Sequence, residues 1–340
     1  MPYEIKPWAD IRDHYSGGNI LLGNGASIAV SDSFRYDSLL DHARQNGLFT
    51  DDIARLFDFF KTQDFELVLR LVWQATNVNK SLNIPDARTH AAYTSLRESI
   101  IKTVQAVHPE YGKLVPFFPR VAKFLRQFET VISLNYDLIV YWSALWGNNE
   151  FKTHSFKDCF KYGLFSDDWQ EFRNPIFPKD RVSLIFYPHG NLTLCRNRIE
   201  EEIKISAPPM RPKRNRPSYL STILGRWLSA DVVPLFVSEG TPEQKMASIH
   251  NSYYLSTVYR EVIPSLSGPL VVYGWGVWEQ DIHLLNRLAK ANIERIAVSV
   301  RLRDQAYCNR VFHVLRDTLG DIPVEFFNRD SPGCWVHPER

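Results

Sequence analysis

The sequence predicts an α/β fold: a doubly wound, Rossmann-like parallel sheet of six or seven strands, with a helical insertion after the first strand. Three observations predict it. The apolar run Ile20-Leu21-Leu22, a strand to be buried on both sheet faces, ends at a glycine turn, Gly23-Asn24-Gly25-Ala26-Ser27. Further β-rich runs at 130–134, 182–187, 232–237, 270–273, 296–300 and 324–327 have the length of strands. In the second half they alternate with helical patterns at 219–228, 242–265, 279–290 and 304–319, the mark of parallel βαβ units.

The first half departs from that rhythm. After a short helix at 37–45, Thr50 can cap a helix carrying Ile53, Leu56, Phe57 and Phe60 on one face. Residues 65–75 are apolar nearly all round, as in a buried helix. Tyr93, Leu96, Ile100, Val104 and Val107 continue the helical period as far as His108-Pro109, and Val121, Phe124, Leu125 and Phe128 form another face. Residues 48–120 therefore read as the insertion, with their aromatic stripes as core. Two irregular stretches follow. One is a lobe at 147–180. The other, 207–217, reads Ala-Pro-Pro-Met-Arg-Pro-Lys-Arg-Asn-Arg-Pro, whose prolines forbid a helix. It is a solvated loop, or alternatively a lid or a contact for an anion.

Composition narrows the classes. At 340 residues the chain is long enough for one large domain spanning 1–340, and a formal net charge of +2 gives no global field for nucleic acid. Direct nucleic-acid binding is not expected. Cys159, Cys195, Cys308 and Cys334 lie too far apart for a zinc ribbon or a disulfide framework, which fits reduced thiols and a cytoplasmic location. His14, His42, His154 and His250 have no metal-ligand spacing, so no metal is expected. The N-terminus lacks an apolar signal core, and no run approaches the ~18 apolar residues of a membrane span.

In an open α/β sheet the ligand crevice lies at the carboxyl ends of the strands. The glycine turn is one such end, where glycine lets backbone N–H groups approach a phosphate. It lacks the third glycine of the dinucleotide fingerprint, and no acidic residue ends a second strand about 20 residues on, so an ordinary dehydrogenase is not indicated. The other strand exits are Ser133-Leu134-Asn135-Tyr136-Asp137, Pro188-His189-Gly190-Asn191, Ser238-Glu239-Gly240-Thr241, and Gly274-Trp275-Gly276 followed by Asp281. Each puts a polar group or glycine on the same edge. His283, within the 279–290 pattern, reads as a surface or interface residue.

These exits resemble a known family. Gly23-Asn24-Gly25-Ala26-Ser27 with Phe34-Arg35 resembles the Gly-Ala-Gly-x-Ser … Phe-Arg opening of sirtuins. Ser133 to Asp137 is similar to their Thr-Gln-Asn-Ile-Asp motif, in the Asn-Tyr-Asp form of bacterial sirtuin-like proteins. His189-Gly190 resembles their catalytic His-Gly, and Gly274-Trp275-Gly276 falls where they carry a further nucleotide loop. The resemblance spans residues 19 to about 300 and is greatest to the zinc-less bacterial sirtuin-like NAD hydrolases of anti-phage defence. Asn24 stands where alanine is usual, Gly276 where serine is typical, and the four-cysteine zinc module of sirtuin deacylases has no counterpart.

The resemblance implies hydrolysis of NAD⁺ to nicotinamide and ADP-ribose, with NAD⁺ as substrate and a homo-oligomer or a defence-system partner controlling activity. It implies that Asn135 holds the attacking water or the ribose, and that His189 is the general base, the residue type whose ordinary pKa lies nearest neutrality. Asp137 would bind ribose hydroxyls or orient Asn135. Gly23, Asn24, Gly25, Ala26, Ser27, Phe34 and Arg35 would line the diphosphate and nicotinamide ends, Glu239 the adenosine ribose, and Gly274 and Trp275 the nucleotide loop; Trp275 and Trp278 are packing residues, or alternatively one of them stacks on adenine. The alternatives are a non-catalytic NAD or ADP-ribose sensor and a zinc-less deacylase or ADP-ribosyltransferase. Elemental analysis of the purified protein is expected to find no stoichiometric zinc; about one zinc per chain, lost together with the fold on chelation, would overturn that reading.

Overall fold

The computed structural model describes residues 2–35, 38–176, 178–207, 218–229, 231–237 and 240–339. Eight strands form one all-parallel sheet: β1 (Ile5–Lys6), β2 (Asn19–Leu22), β3 (Thr130–Ser133), β4 (His154–Lys157), β5 (Arg181–Phe186), β6 (Ser267–Tyr273), β7 (Asn292–Val300) and β8 (Val324–Asn328). Their spatial order is β1-β8-β7-β6-β2-β3-β5-β4. From β2 the chain passes outward to β3 and on to the edge strand β4, then steps back to β5 between them; it next returns to β6, on the other side of β2, and winds outward through β7 and β8. The order therefore reverses between β2 and β6, the position at which a doubly wound sheet opens a crevice. Leu22 sits level with both Ser133 and Tyr273, so the loops after β2, β3 and β6 leave the sheet side by side.

Two strands of this sheet differ from the sequence expectation. β1 is a two-residue edge strand with no periodic signal. β4 lies inside the 147–180 lobe, which also holds a small hairpin, Phe160–Lys161 with Leu164–Phe165, and the short helix Trp169–Arg173. Conversely, Val232–Phe236 joins no parallel neighbour. It pairs antiparallel with Gly190–Asn197, which in turn pairs with Glu202–Lys204. An apolar run five residues long is the same whichever sheet buries it, so the pattern alone could not assign it. Gly190 makes this side sheet possible: its φ is +75°, and a Cβ there would lie 2.3 Å from the Leu235 carbonyl oxygen.

Between β2 and β3 the chain is helical. The helices Asp51–Phe60, Phe65–Ser81 and Ala87–Val107 begin at Thr50, Asp64 and Asp86, whose side chains accept N–H bonds from Ile53, Leu67 and Thr89. Leu96, Ile100 and Val104 of the long helix are buried, as their spacing requires. The predicted helix at 37–45 is Leu39–Gln45, and the pattern at 242–265 breaks into Pro242–His250, Tyr253–Thr257 and two further turns. Residues 208–217 of the basic loop lie outside the described residues. No helix among the described residues is long and apolar enough to cross a membrane.

The two glycine turns at the switch point are packed backbone to backbone. Gly23 N–H donates to Tyr273 O at 3.0 Å and Gly25 N–H to Gly274 O at 2.7 Å. A Cβ on Gly25 would lie 2.8 Å from the Gly274 Cα, and one on Gly274, whose φ is +67°, would lie 2.4 Å from the Ala26 nitrogen. The close approach these glycines permit is thus first of all loop on loop. Gly274→Ala is expected to lower the urea unfolding free energy by more than the roughly 1–3 kcal/mol of backbone strain alone. Gly112→Ala, in open space on a helix, should be neutral or stabilising by up to about 1 kcal/mol. Equal midpoints for the two variants would show that the turns do not need their glycines.

Candidate functional site

A cleft of about 400 Å³ opens at the switch point, lined by the turns after β2, β3 and β6 together with His189, Lys245 and Asp281. The exit of β3 supplies its central polar side chain. Asn135, 9% exposed, donates from Nδ2 to the Gly23 carbonyl at 3.0 Å and to Ser27 Oγ at 2.9 Å. Among the described residues no donor reaches its Oδ1. The amide is thereby fixed by its NH₂ end, with its carbonyl oxygen left as an acceptor for whatever enters the cleft.

Asp137, two residues on, does a different job. One carboxylate oxygen accepts from Ser27 Oγ, and the other accepts from the Ile139 N–H at 2.8 Å, at the start of the helix Ile139–Glu150. Burial raises its pKa, and the Ser27 hydrogen bond partly offsets that rise. Its backbone carbonyl accepts from Asn191 Nδ2 at 2.7 Å. Asp137 therefore holds Ser27, and Ser27 holds Asn135.

On the β2 turn, Gly23, Asn24, Gly25 and Phe34 line the cleft, while Ala26 and Ser27 are buried behind it. Asn24 Nδ2 donates to the Phe34 carbonyl at 3.3 Å and so pins the turn that carries Phe34. Trp335 supports the same segment from behind, its indole N–H donating to the Ala26 carbonyl at 2.8 Å. Arg35 is exposed and pairs with Asp32 at 2.9 Å, outside the cleft lining. Glu239 lies outside the described residues. Trp275 lines the cleft but is only 4% exposed, and its indole N–H is committed to Asp281 Oδ2 at 3.0 Å. Trp278, 56% exposed at the rim, is the open indole; the Arg310 guanidinium stands 4.0 Å from its ring, held by the carbonyls of Gly276 and Val277.

The opposite wall contains a buried polar cluster. His189 Nε2 meets His283 Nε2 at 3.1 Å, so one ring donates and the other accepts. Asp281 accepts from Lys245 Nζ at 2.8 Å through its other oxygen. Burial pushes His189 down to about 3 and His283 to about 4, in both cases against the attraction of Asp281, so both rings are neutral at pH 7. His283 is buried within the chain here, where its sequence reading made it a surface or interface residue. Neither it nor Lys245 gave a sequence signal of this role, because each sits within an ordinary helical pattern; His189, at a strand exit, and Asp281, just past another, were legible. The four cysteines are buried and unpaired, and among the described residues no three or more His, Cys, Asp or Glu side chains cluster as metal ligands.

The insertion reaches the site through His108, just past the end of its long helix. Nε2 accepts the Leu138 N–H at 3.0 Å and Nδ1 donates to the Pro109 carbonyl at 2.9 Å, which fixes a neutral tautomer. The ring meets Phe34 and Trp142 edge-on, each at 5.4 Å.

The family described as a domain of unknown function, DUF4917, matches residues 20–335. The chain belongs to that family. The match runs from β2, past β8, to Trp335, and so includes every strand that frames the cleft. No curated protein matches the chain.

The His108 contacts carry a pH dependence of known sign. Burial holds His108 near 4, well below its unfolded value of about 6.5, so its contribution to stability is complete above 6.5 and is lost as the pH falls towards 4. His108→Ala is expected to cost about 1–3 kcal/mol at pH 7.5, with the Leu138 N–H left unpaired. The gap between wild type and variant should narrow below pH 6. Calorimetric melts of both proteins from pH 4.5 to 7.5 test this; parallel curves would refute the assignment.

Proposed function

We propose that the chain hydrolyses NAD⁺ to nicotinamide and ADP-ribose, as an NAD-depleting effector of the kind found in bacterial anti-phage defence. The observation that carries the reading is Asn135: an amide anchored by its NH₂ end to the glycine turn, its Oδ1 open, in the same cleft as a neutral histidine. The motif resemblance to sirtuin-like NAD hydrolases supports the same reading.

In this reading the ribose lies against Asn135, whose Oδ1 accepts from the attacking water or a ribose hydroxyl. The C1′–N bond breaks with its electron pair leaving on the nicotinamide nitrogen, water forms the new C1′–O bond, and the water's proton passes to His189. His189 is unprotonated at pH 7, as a base must be before it acts. Its partner His283 can share the proton, and the Asp281 carboxylate favours the resulting cation. An anionic diphosphate nearby adds to that effect by raising the proton affinity of His189. The turn glycines leave the cleft floor open to the diphosphate, and Phe34 with the covered wall keeps bulk water from the reacting carbon.

Nicotinamide release by purified wild type, His189→Ala, Asn135→Ala and the double variant tests the proposal. His189→Ala is expected to lose about 10²- to 10⁴-fold, and Asn135→Ala about 10²-fold or more. The double variant should lose far less than the product of the two, since both serve one step. Turnover surviving either substitution within about threefold would reject the pair. NAD⁺ binding without turnover in wild type would favour the sensor.

A further inference from the structure

A second cavity, of about 520 Å³, lies at the opposite end of the sheet, where β2, β3, β4 and β5 begin. Its lining includes three arginines, Arg126, Arg173 and Arg181. Among the described residues no carboxylate pairs with any of them. Arg173 donates to Thr130 Oγ1 at 3.0 Å and packs on the Trp169 ring, its carbon 5.7 Å from the centroid. Arg126 stacks over Phe151 at 4.9 Å. Two of the three are thus oriented by neutral groups, and the carboxylate that acts on Arg173, Glu129, does so from beyond ion-pair distance.

His154, 5% exposed, forms part of the wall and bonds Ser183 Oγ through Nε2 at 3.0 Å. It reports the local field. Burial holds its ring near 4, and Arg126, Arg181 and Lys179 push in the same direction. The two acids of the lining, Glu129 and Asp180, are exposed and do not reverse that field. A positive, roomy recess with guanidinium groups is the setting in which phosphate oxygens are bound in pairs. Its volume falls in the usual range for small-molecule sites.

We propose that this recess is a binding site for a phosphate-bearing small molecule, separate from the cleft at the other end of the sheet. The distance from Thr130 to Asn135 along β3 and its exit is roughly 16 Å at the usual strand rise, so one small ligand does not serve both. The site stands independently of the reading of the cleft. β2, β3 and β5 run from this recess to the turns that carry Gly23, Asn135 and His189, which puts an anion here in line with the cleft's framework.

The probes are inorganic phosphate and glycerol 3-phosphate, titrated into wild type by calorimetry at fixed ionic strength, with chloride as the blank. Binding at millimolar or tighter affinity is expected, weakened about tenfold or more by Arg126→Gln/Arg181→Gln and unchanged in Asn135→Ala. Arg181→Gln alone, an exposed substitution, should weaken binding in the same direction if the double variant folds poorly. Equal affinity for both probes marks a free-phosphate site; tighter binding of the ester marks an organic phosphate. No heat beyond the chloride blank, or binding lost in Asn135→Ala but kept in the arginine variants, would overturn the proposal.

Discussion

Two glycine turns meeting backbone to backbone set the geometry on which the cleft depends. The bond from Gly25 N–H to Gly274 O brings the exits of β2 and β6 to within one hydrogen bond of each other across the switch point. With no side chain between them, the β2 turn can present the Gly23 carbonyl to Asn135 while Ser27 turns inward. Any bulk at Gly25 or Gly274 would separate the turns and move the carbonyl that anchors the amide. The glycines thus act on the site through position, and their openness to a ligand follows from that.

Around this contact the protein buries far more polar groups than an apolar core would tolerate. Ser27, Asn135, Asp137 and Asn191 form one chain of hydrogen bonds; Lys245 and Trp275 both donate to Asp281, and the two histidines form a separate pair within the field of that carboxylate. Such networks give little net stability, because desolvation offsets much of each bond, but removal of one member strands the others. Their physical effect is to fix side-chain direction. Asn135 can turn neither end of its amide without breaking two bonds, and the indole of Trp275 cannot leave Asp281 unpaired without cost.

Much of this was legible in the sequence, and the remainder fails to be so for identifiable reasons. The apolar runs of β2, β3, β5, β6, β7 and β8 and the cap at Thr50 are local signals, and the structure follows them. The exits carrying Gly23, Asn135, His189 and Gly274 were readable because an open parallel sheet sends all such exits to one edge. What escaped depends on partners distant in the chain. Val232–Phe236 takes its sheet from a strand created by Gly190; β1 exists only because β8 offers an edge; His283, Lys245 and His108 acquire their roles from tertiary neighbours. Arg35 lies on the surface paired with Asp32, a local contact that a motif comparison does not weigh.

The sheet joins the two ends of the chain, which bears on when the protein becomes itself. β1 pairs with β8, and Lys6 reaches Glu325, 319 positions away. Trp8 N–H finds Ser331 Oγ, and the turn that carries Ala26 leans on Trp335. A chain emerging from the ribosome therefore has its first strand and its glycine turn exposed, without their final supports, until the last strand has been made. Non-local pairing of this kind is slow and closes late. A nascent chain short of β8 already holds every residue that lines the cleft but lacks the Trp335 bond behind the glycine turn, so the support of the cleft is completed last.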